Sequence, residues 1–336
     1  MNGIFHYYAV KFLALRGGFA EDEAEIIAFS CQLVDRSLIP IAVESERGKS
    51  YRITPTHHFG FWDKAQEEEV WIPFHFFPSG DGDAGLRKDG KVEPMVVRPN
   101  SQPVKELLVE ALKTRNPYRV GIALHTYADS WAHQNFIGRN KGFNRTESFS
   151  PVPPVGHAQI GRNPDIWSLQ WIDPRLIPEL QIIDNEERFF HAAKKIYQYL
   201  STYHKRQFSD WELVRWQLEE IISDDMPSKE NRYPRKNRIG EDHKLELDFR
   251  LNLEVPELDE GRWFSEAFPQ LDTRRFLRPG NTDRFVVASH EVRKILQLAE
   301  LAPRKVGSDF FDSHIYRWSE AAKEHRKVAN KIMANI

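Results

Sequence analysis

The residues best suited to chemistry lie in residues 120–136, where His125, Asp129 and His133 recur at intervals of four. On an α-helix a step of four residues advances about 400°, a net turn of about 40°. The three side chains therefore form one stripe, stacked turn above turn. Two imidazoles and a carboxylate aimed the same way are a metal-competent set. Their neighbours Ile122, Leu124, Ala128, Trp131, Ala132 and Phe136 are apolar or small, which predicts a buried helix. Ionisable groups are rarely buried without a partner or an ion. The competing explanation is a plain helical protein whose histidines are core residues satisfied by hydrogen bonds. Further ligands elsewhere in the chain would decide between the two.

Such ligands are present in several segments. His6 stands at the start of a predicted helix over 4–16, closed by Gly17 and Gly18. Asp35 ends a predicted helix over 21–35, whose first turn carries Glu21, Asp22 and Glu23. A carboxylate at that far end meets the unfavourable pole of the helix dipole, which points to a nearby cation; an ion pair with Arg36 is the alternative. His57 and His58 are adjacent, so they point different ways and do not both face one ion. His58 is preferred because it directly precedes an apolar stretch, and His75, inside the aromatic run 70–78, is the possible replacement. His157 and Asp165 fall in one short segment after a proline-rich approach. The glycine- and aspartate-rich residues 79–85 superficially resemble a calcium loop, but the required Gly and closing Glu are not in place.

The elements that must position these residues are mostly helical by pattern. Amphipathic periodicity predicts helices over 103–114, 118–136, 185–204, 209–223, 289–301 and 308–336. Pro73 argues against a helix through 70–78. The polar stretch 224–242 reads as an exposed linker, with a basic anion-binding patch as the sharper alternative, and 263–277 is ambiguous. The expected fold class is all-α: mainly α, with an irregular, short-strand insertion around 38–100. Two parts are expected, a metal-binding helical core over 1–204 and a helical extension over 205–336 packed on the same core.

Composition narrows the function classes. The chain has 336 residues with 47 basic and 49 acidic side chains, so its charge gives no strong nucleic-acid or anionic-membrane signal. A single cysteine, Cys31, excludes an intrachain disulfide and a multi-thiolate zinc site. Nitrogen and oxygen ligands must then do most of any metal binding. No secretory signal and no transmembrane run is visible, so a cytoplasmic location is expected.

The order His6, Asp35, His58, His125-x-x-x-Asp129, His133, His157 resembles the zinc-dependent phospholipase C family, whose fold is shared with the single-strand-specific zinc nucleases. The resemblance covers about residues 4–167, and its most specific part is His125 and Asp129 in their setting of small and apolar residues. It implies a multi-helix bundle holding two or three zinc ions. It implies that Asp35, His58, His125 and Asp129 hold one ion, His133 and His157 a second, and His6 with a bridging Asp129 part of a third. It also implies a metal-dependent hydrolase of phosphodiester or phosphate ester bonds, with Asp35 at the rim orienting or deprotonating the attacking water. A small phosphodiester or a phospholipid head group is the expected substrate. Three features depart from the family. Five residues precede His6, where the family uses a free N-terminal residue as a ligand. The segment between Asp129 and His133 is shorter. Gly161 stands where the family has a Glu, leaving Asp165 or a water for that position. The donor types also suit manganese or iron. Two further alternatives remain: a non-catalytic helical protein stapled by structural metal, and a nuclease-type activity on nucleotides.

Overall fold

The computed structural model describes residues 1–38, 40–57, 64–82, 85–146, 150–208, 210–224, 258–259, 261–268 and 303–336. The chain is mainly α-helical, with a few short strands. A π-helical stretch, Ile4–Ala9, runs directly into helix α1 (Val10–Gly17). Gly18 ends it in the left-handed region, at φ 110°, a conformation that glycine reaches without strain. Helix α2 (Glu21–Leu33) follows, and strands β1 (Ala42–Ser45) and β2 (Ser50–Arg52) form an antiparallel hairpin.

Helices α3 (Gln102–Lys113) and α4 (Pro117–Ala132) come next. Asn116 caps α4 by accepting from the Tyr118 and Arg119 backbone N–H groups, and Pro117 supplies a preset φ at its first position. Every residue of α4 from Tyr118 to Ala132 is buried, because α2, α3, α5 (Asn185–Tyr203) and the terminal helix all pack on it. This helix is therefore the axis of the bundle. Strands β3 (Gln170–Ile172) and β4 (Ile182–Asp184) form a second hairpin before α5. The described part of the remaining chain holds α6 (Trp211–Asp224), α7 (Arg262–Ala267), β5 (Arg304–Val306) and α8 (His314–Met333). β5 pairs in parallel with β1. Trp318 of α8 is buried and donates its indole N–H to the Ser30 carbonyl of α2 at 3.1 Å, so the chain end shares the core with its beginning.

One close approach matters for the site. A Cβ on Gly121 would lie 2.2 Å from the Ile27 carbonyl oxygen and 2.6 Å from Ser30 Cβ. Only glycine lets α2 lie this near to α4, one turn ahead of His125.

Three expected boundaries are corrected. The central helix ends at Ala132, not 136, so His133 is its C-cap (φ −89°, ψ 14°) and not part of the stripe proper. Residues 64–74 are helical despite Pro73: a π-helical stretch, Glu67–Trp71, passes into the short α turn Ile72–Phe74. Pro73 sits at the start of that turn, where its missing N–H is tolerated. The terminal segment is a 3₁₀ turn, Ser308–Asp312, followed by α8. The predicted helix at 289–301 and the linker over 225–242 lie outside the described residues. Among the described residues no helix is long and apolar enough to cross a membrane.

Candidate metal centre

Asp129 lies at the middle of a buried group of side chains drawn from the whole first half of the chain. Its Oδ2 is 3.2 Å from His125 Nε2 and 3.3 Å from His75 Nδ1. Its Oδ1 is 3.2 Å from His6 Nε2 and 2.5 Å from the Met1 amine. His125 and Asp129 share one face of α4; His6 comes from the helix at the N-terminus, and Asp35 from the turn that follows α2. Asp35 Oδ1 lies 3.8 Å from His75 Nδ1 and 3.7 Å from His125 Nε2, and those two nitrogens are 3.2 Å apart. Beyond the end of α4, His133 Nε2 is 3.2 Å from Asp165 Oδ1, while His157 Nε2 is 3.6 Å from Asp165 Oδ2.

Two trios thus have metal-ligand spacing: Asp35, His75 and His125, and His133, His157 and Asp165. In each, one ligand atom per residue lies within 4.8 Å of the other two. Zinc bonds of about 2.0–2.2 Å at tetrahedral angles place ligand atoms roughly 3.3–3.6 Å apart, close to the separations observed. A third group, His6, Cys31 and His125, meets the same spacing. Within it, however, Cys31 Sγ faces His6 Nδ1 at 3.5 Å and the Cys31 carbonyl takes the His125 Nδ1–H at 2.9 Å. Cys31 serves there as an outer partner of both histidines.

The outer nitrogens explain the arrangement of the inner ones. His75 Nε2 donates to the Thr56 carbonyl at 2.8 Å, His133 Nδ1 to the His75 carbonyl at 2.8 Å, and His157 Nδ1 to the Gly161 carbonyl at 2.7 Å. With His125 on Cys31 O and His6 on Cys31 Sγ, all five rings are pinned from outside. A neutral imidazole has one N–H, so His75, His125, His133 and His157, which spend it on carbonyls, turn a bare lone pair inward. The buried Nε2 of His6 faces Asp129 Oδ1 at 3.2 Å. Outer donors that fix tautomer and ring orientation are the usual support of metal-ligating histidines.

Electrostatics favours the neutral form of His6, His75 and His157. Burial, reinforced by His125 and the Met1 amine, pushes His6 down to about 4, and burial with His133 pushes His157 down to about 4. Burial also lowers His75. His133 moves up, because Asp129 and Asp165 outweigh its burial. Burial opposes charge on Asp35, Asp129 and Asp165, but the surrounding histidines, and for the last two the Met1 amine, hold all three well below the usual carboxylate range. The Met1 amine would be lowered by burial; Asp129, Asp165 and Asp35 instead hold it up at about 11. Inner lone pairs and three carboxylates facing one small space form a site with the donor chemistry of a divalent cation.

Residues 1–333 match a family of unknown function, DUF6765. The chain belongs to that family. No curated protein and no solved structure matches it.

Of the residues singled out by sequence, His6, Asp35, His125, Asp129, His133, His157 and Asp165 are brought together in this one cluster. His58 lies outside the described residues. The loop histidine that faces Asp35 and His125 is His75, held between Phe74 and Phe76 and 3% exposed. His57 is buried edge-on to the His75 ring, 5.2 Å between centroids. Gly161 occupies the place expected for a Glu, and its backbone (φ 59°, ψ −131°) suits glycine alone. The turn there carries the chain on to Asp165, whose carboxylate faces His133 and His157. Sequence reasoning missed the Met1 amine, which also lies 3.2 Å from Asp165 Oδ1. It missed Cys31 as an outer partner too.

Proposed function

We propose that this cluster is a multinuclear zinc centre and that the protein is a metal-dependent hydrolase of phosphodiester or phosphate ester bonds, on a bundle of the phospholipase C and zinc nuclease kind. The observation that carries the proposal is the set of four histidines, His75, His125, His133 and His157, each pinned by a carbonyl on its outer nitrogen, with inner nitrogens converging on Asp35, Asp129 and Asp165. Asp35, His75, His125 and Asp129 would hold one ion, and His133, His157 and Asp165 a second. His6 and Asp129 would serve a third. The donor set does not separate zinc from manganese or iron.

Divalent ions held a few Å apart polarise a phosphoryl oxygen, lower the pKa of water and stabilise a leaving oxygen. The chain's own groups do the rest. Asp129, on the central helix, stands between the two trios, its Oδ2 3.2 Å from His125 Nε2 and 3.6 Å from His133 Nδ1. The partly exposed edge of the cluster, where the side chains of Asp35, Asp165 and His157 are 20%, 16% and 19% exposed, is where substrate and water would enter. A purely structural metal is enclosed by its ligands, whereas a catalytic one keeps an open position, so this edge favours catalysis over stapling. Asp35 is assigned as the group that orients the attacking water and relays its proton to the departing ester oxygen. A small phosphodiester or a phospholipid head group is the proposed substrate class.

Elemental analysis of the purified protein, paired with hydrolysis of a bis(aryl) phosphodiester, tests this reading. Stoichiometric transition metal and turnover, both lost in Asp129→Ala, are expected. Absence of any bound transition metal would sink the proposal; metal without turnover would leave only a staple.

A further inference from the structure

We infer that His325, in the terminal helix α8, is a positioning residue for the Asp35, His75 and His125 trio, an inference that rests on the metal-centre reading above. His75 ends the helical stretch 64–74, whose last carbonyls have no intrahelical partner. Three consecutive carbonyls there are each capped by a side chain. Pro73 O accepts from His325 Nε2 at 2.9 Å, Phe74 O from the Thr126 hydroxyl at 2.9 Å, and His75 O from His133 Nδ1 at 2.8 Å. Two of these caps come from α4 and its C-cap; the third comes from the far end of the chain.

The tautomer of His325 follows from its other neighbour. Arg119 presents a guanidinium N–H to His325 Nδ1 at 2.5 Å, and a guanidinium only donates. Nδ1 must then be the acceptor, which leaves the proton on Nε2, aimed at Pro73 O. The order of donation runs from Arg119 on α4, through His325 on α8, to the backbone two residues before His75. The His325 ring also stacks on Phe74, with 5.1 Å between centroids and 20° between planes. His325, Arg119 and Thr126 are all at most 1% exposed, so water cannot replace these caps. The result is that the backbone carrying His75, whose ring is oriented by the Thr56 carbonyl, is held by a contact some 250 residues away in sequence.

Cobalt(II) titration of the full chain, followed by visible absorption, tests this. The equivalent held by the trio is identified as the one lost in His75→Ala. His325→Leu is expected to weaken that equivalent by about 10–100-fold, the usual effect of losing an outer partner, and to shift the His133, His157 and Asp165 equivalent by less. His325→Gln, whose amide N–H can reach Pro73 O, is expected to restore the affinity and the spectrum. Should the leucine variant not fold, Thr126→Val removes the neighbouring cap at nearly constant volume and carries the same expectation. Wild-type cobalt affinity and spectrum in His325→Leu, or a glutamine variant no better than leucine, would overturn the inference while the metal reading stood. A wild-type chain that takes up no cobalt would overturn both.

Discussion

At the scale of single residues, protonation controls whether the cluster can receive a cation. Burial pushes His6 and His157 down to about 4 in the folded chain, and also lowers His75 and His325. Their unfolded values are near 6.5. A lowered folded pKa contributes stability that is full above pH 6.5 and is lost as pH falls toward 4, because the unfolded chain takes up protons that the folded one refuses. For His6 and His157 the loss is on the order of 3 kcal/mol each at the acid limit. His133 opposes this, since its pKa is raised, but one group does not offset four. The Met1 amine, raised to about 11, contributes stability that is full below about pH 8 and lost as pH rises toward 11. Thermal melts of the chelator-treated chain should therefore show a maximum between about pH 7 and 8, falling steeply on the acid side. A flat profile from pH 7 to 4 would contradict the assigned burial of neutral imidazoles.

At the scale of elements, the site depends on how near α2 comes to α4. The Cys31 carbonyl on α2 pins His125 on α4, and Asp35 is carried by the turn that α2 feeds. Gly121 sets that separation. Gly121→Ala drives a methyl group into the Ile27 carbonyl, and overpacking of this kind costs about 1–3 kcal/mol or more. The helices must part, and Asp35 and Cys31 move away from His125. Lower thermal stability together with weaker metal uptake is expected; a variant that lost stability and kept wild-type metal affinity would show that the trio tolerates the shift. Ala128→Gly on the same helix forces no clash and should lose about 2 kcal/mol, the intrinsic helix penalty plus a lost buried methyl, with metal affinity kept.

At the scale of the whole molecule, the cluster ties the N-terminal helix, the end of α2, the end of the 64–74 stretch, α4 and the 157–165 loop to one point. A ligand that binds only the folded chain stabilises it by about 4 kcal/mol at a thousand times its Kd. Prolonged chelation should therefore lower the melting temperature by several °C, and added zinc should restore it. Magnesium should not restore it, because imidazole is a poor ligand for that ion. An unchanged melting temperature after verified metal removal would mean that packing alone holds these segments.

Much of this was visible in the amino-acid order. The four-residue spacing of His125 and Asp129 follows from local helix geometry, as do the buried character of α4 and the mainly α class. Local signals also marked His6, Asp35, His157 and Asp165 as ligand types in unusual places. Other features depended on tertiary structure. The position of His133 depends on α4 ending at Ala132. The choice of His75 depends on a π-helical stretch, on Pro73 at the start of a turn, and on carbonyl caps from α4 and α8. The Met1 amine enters because the N-terminal helix is inserted against Asp129. Periodicity reports which face of an element is buried. It carries no information on which atoms from distant segments meet there, because that is set by packing between elements.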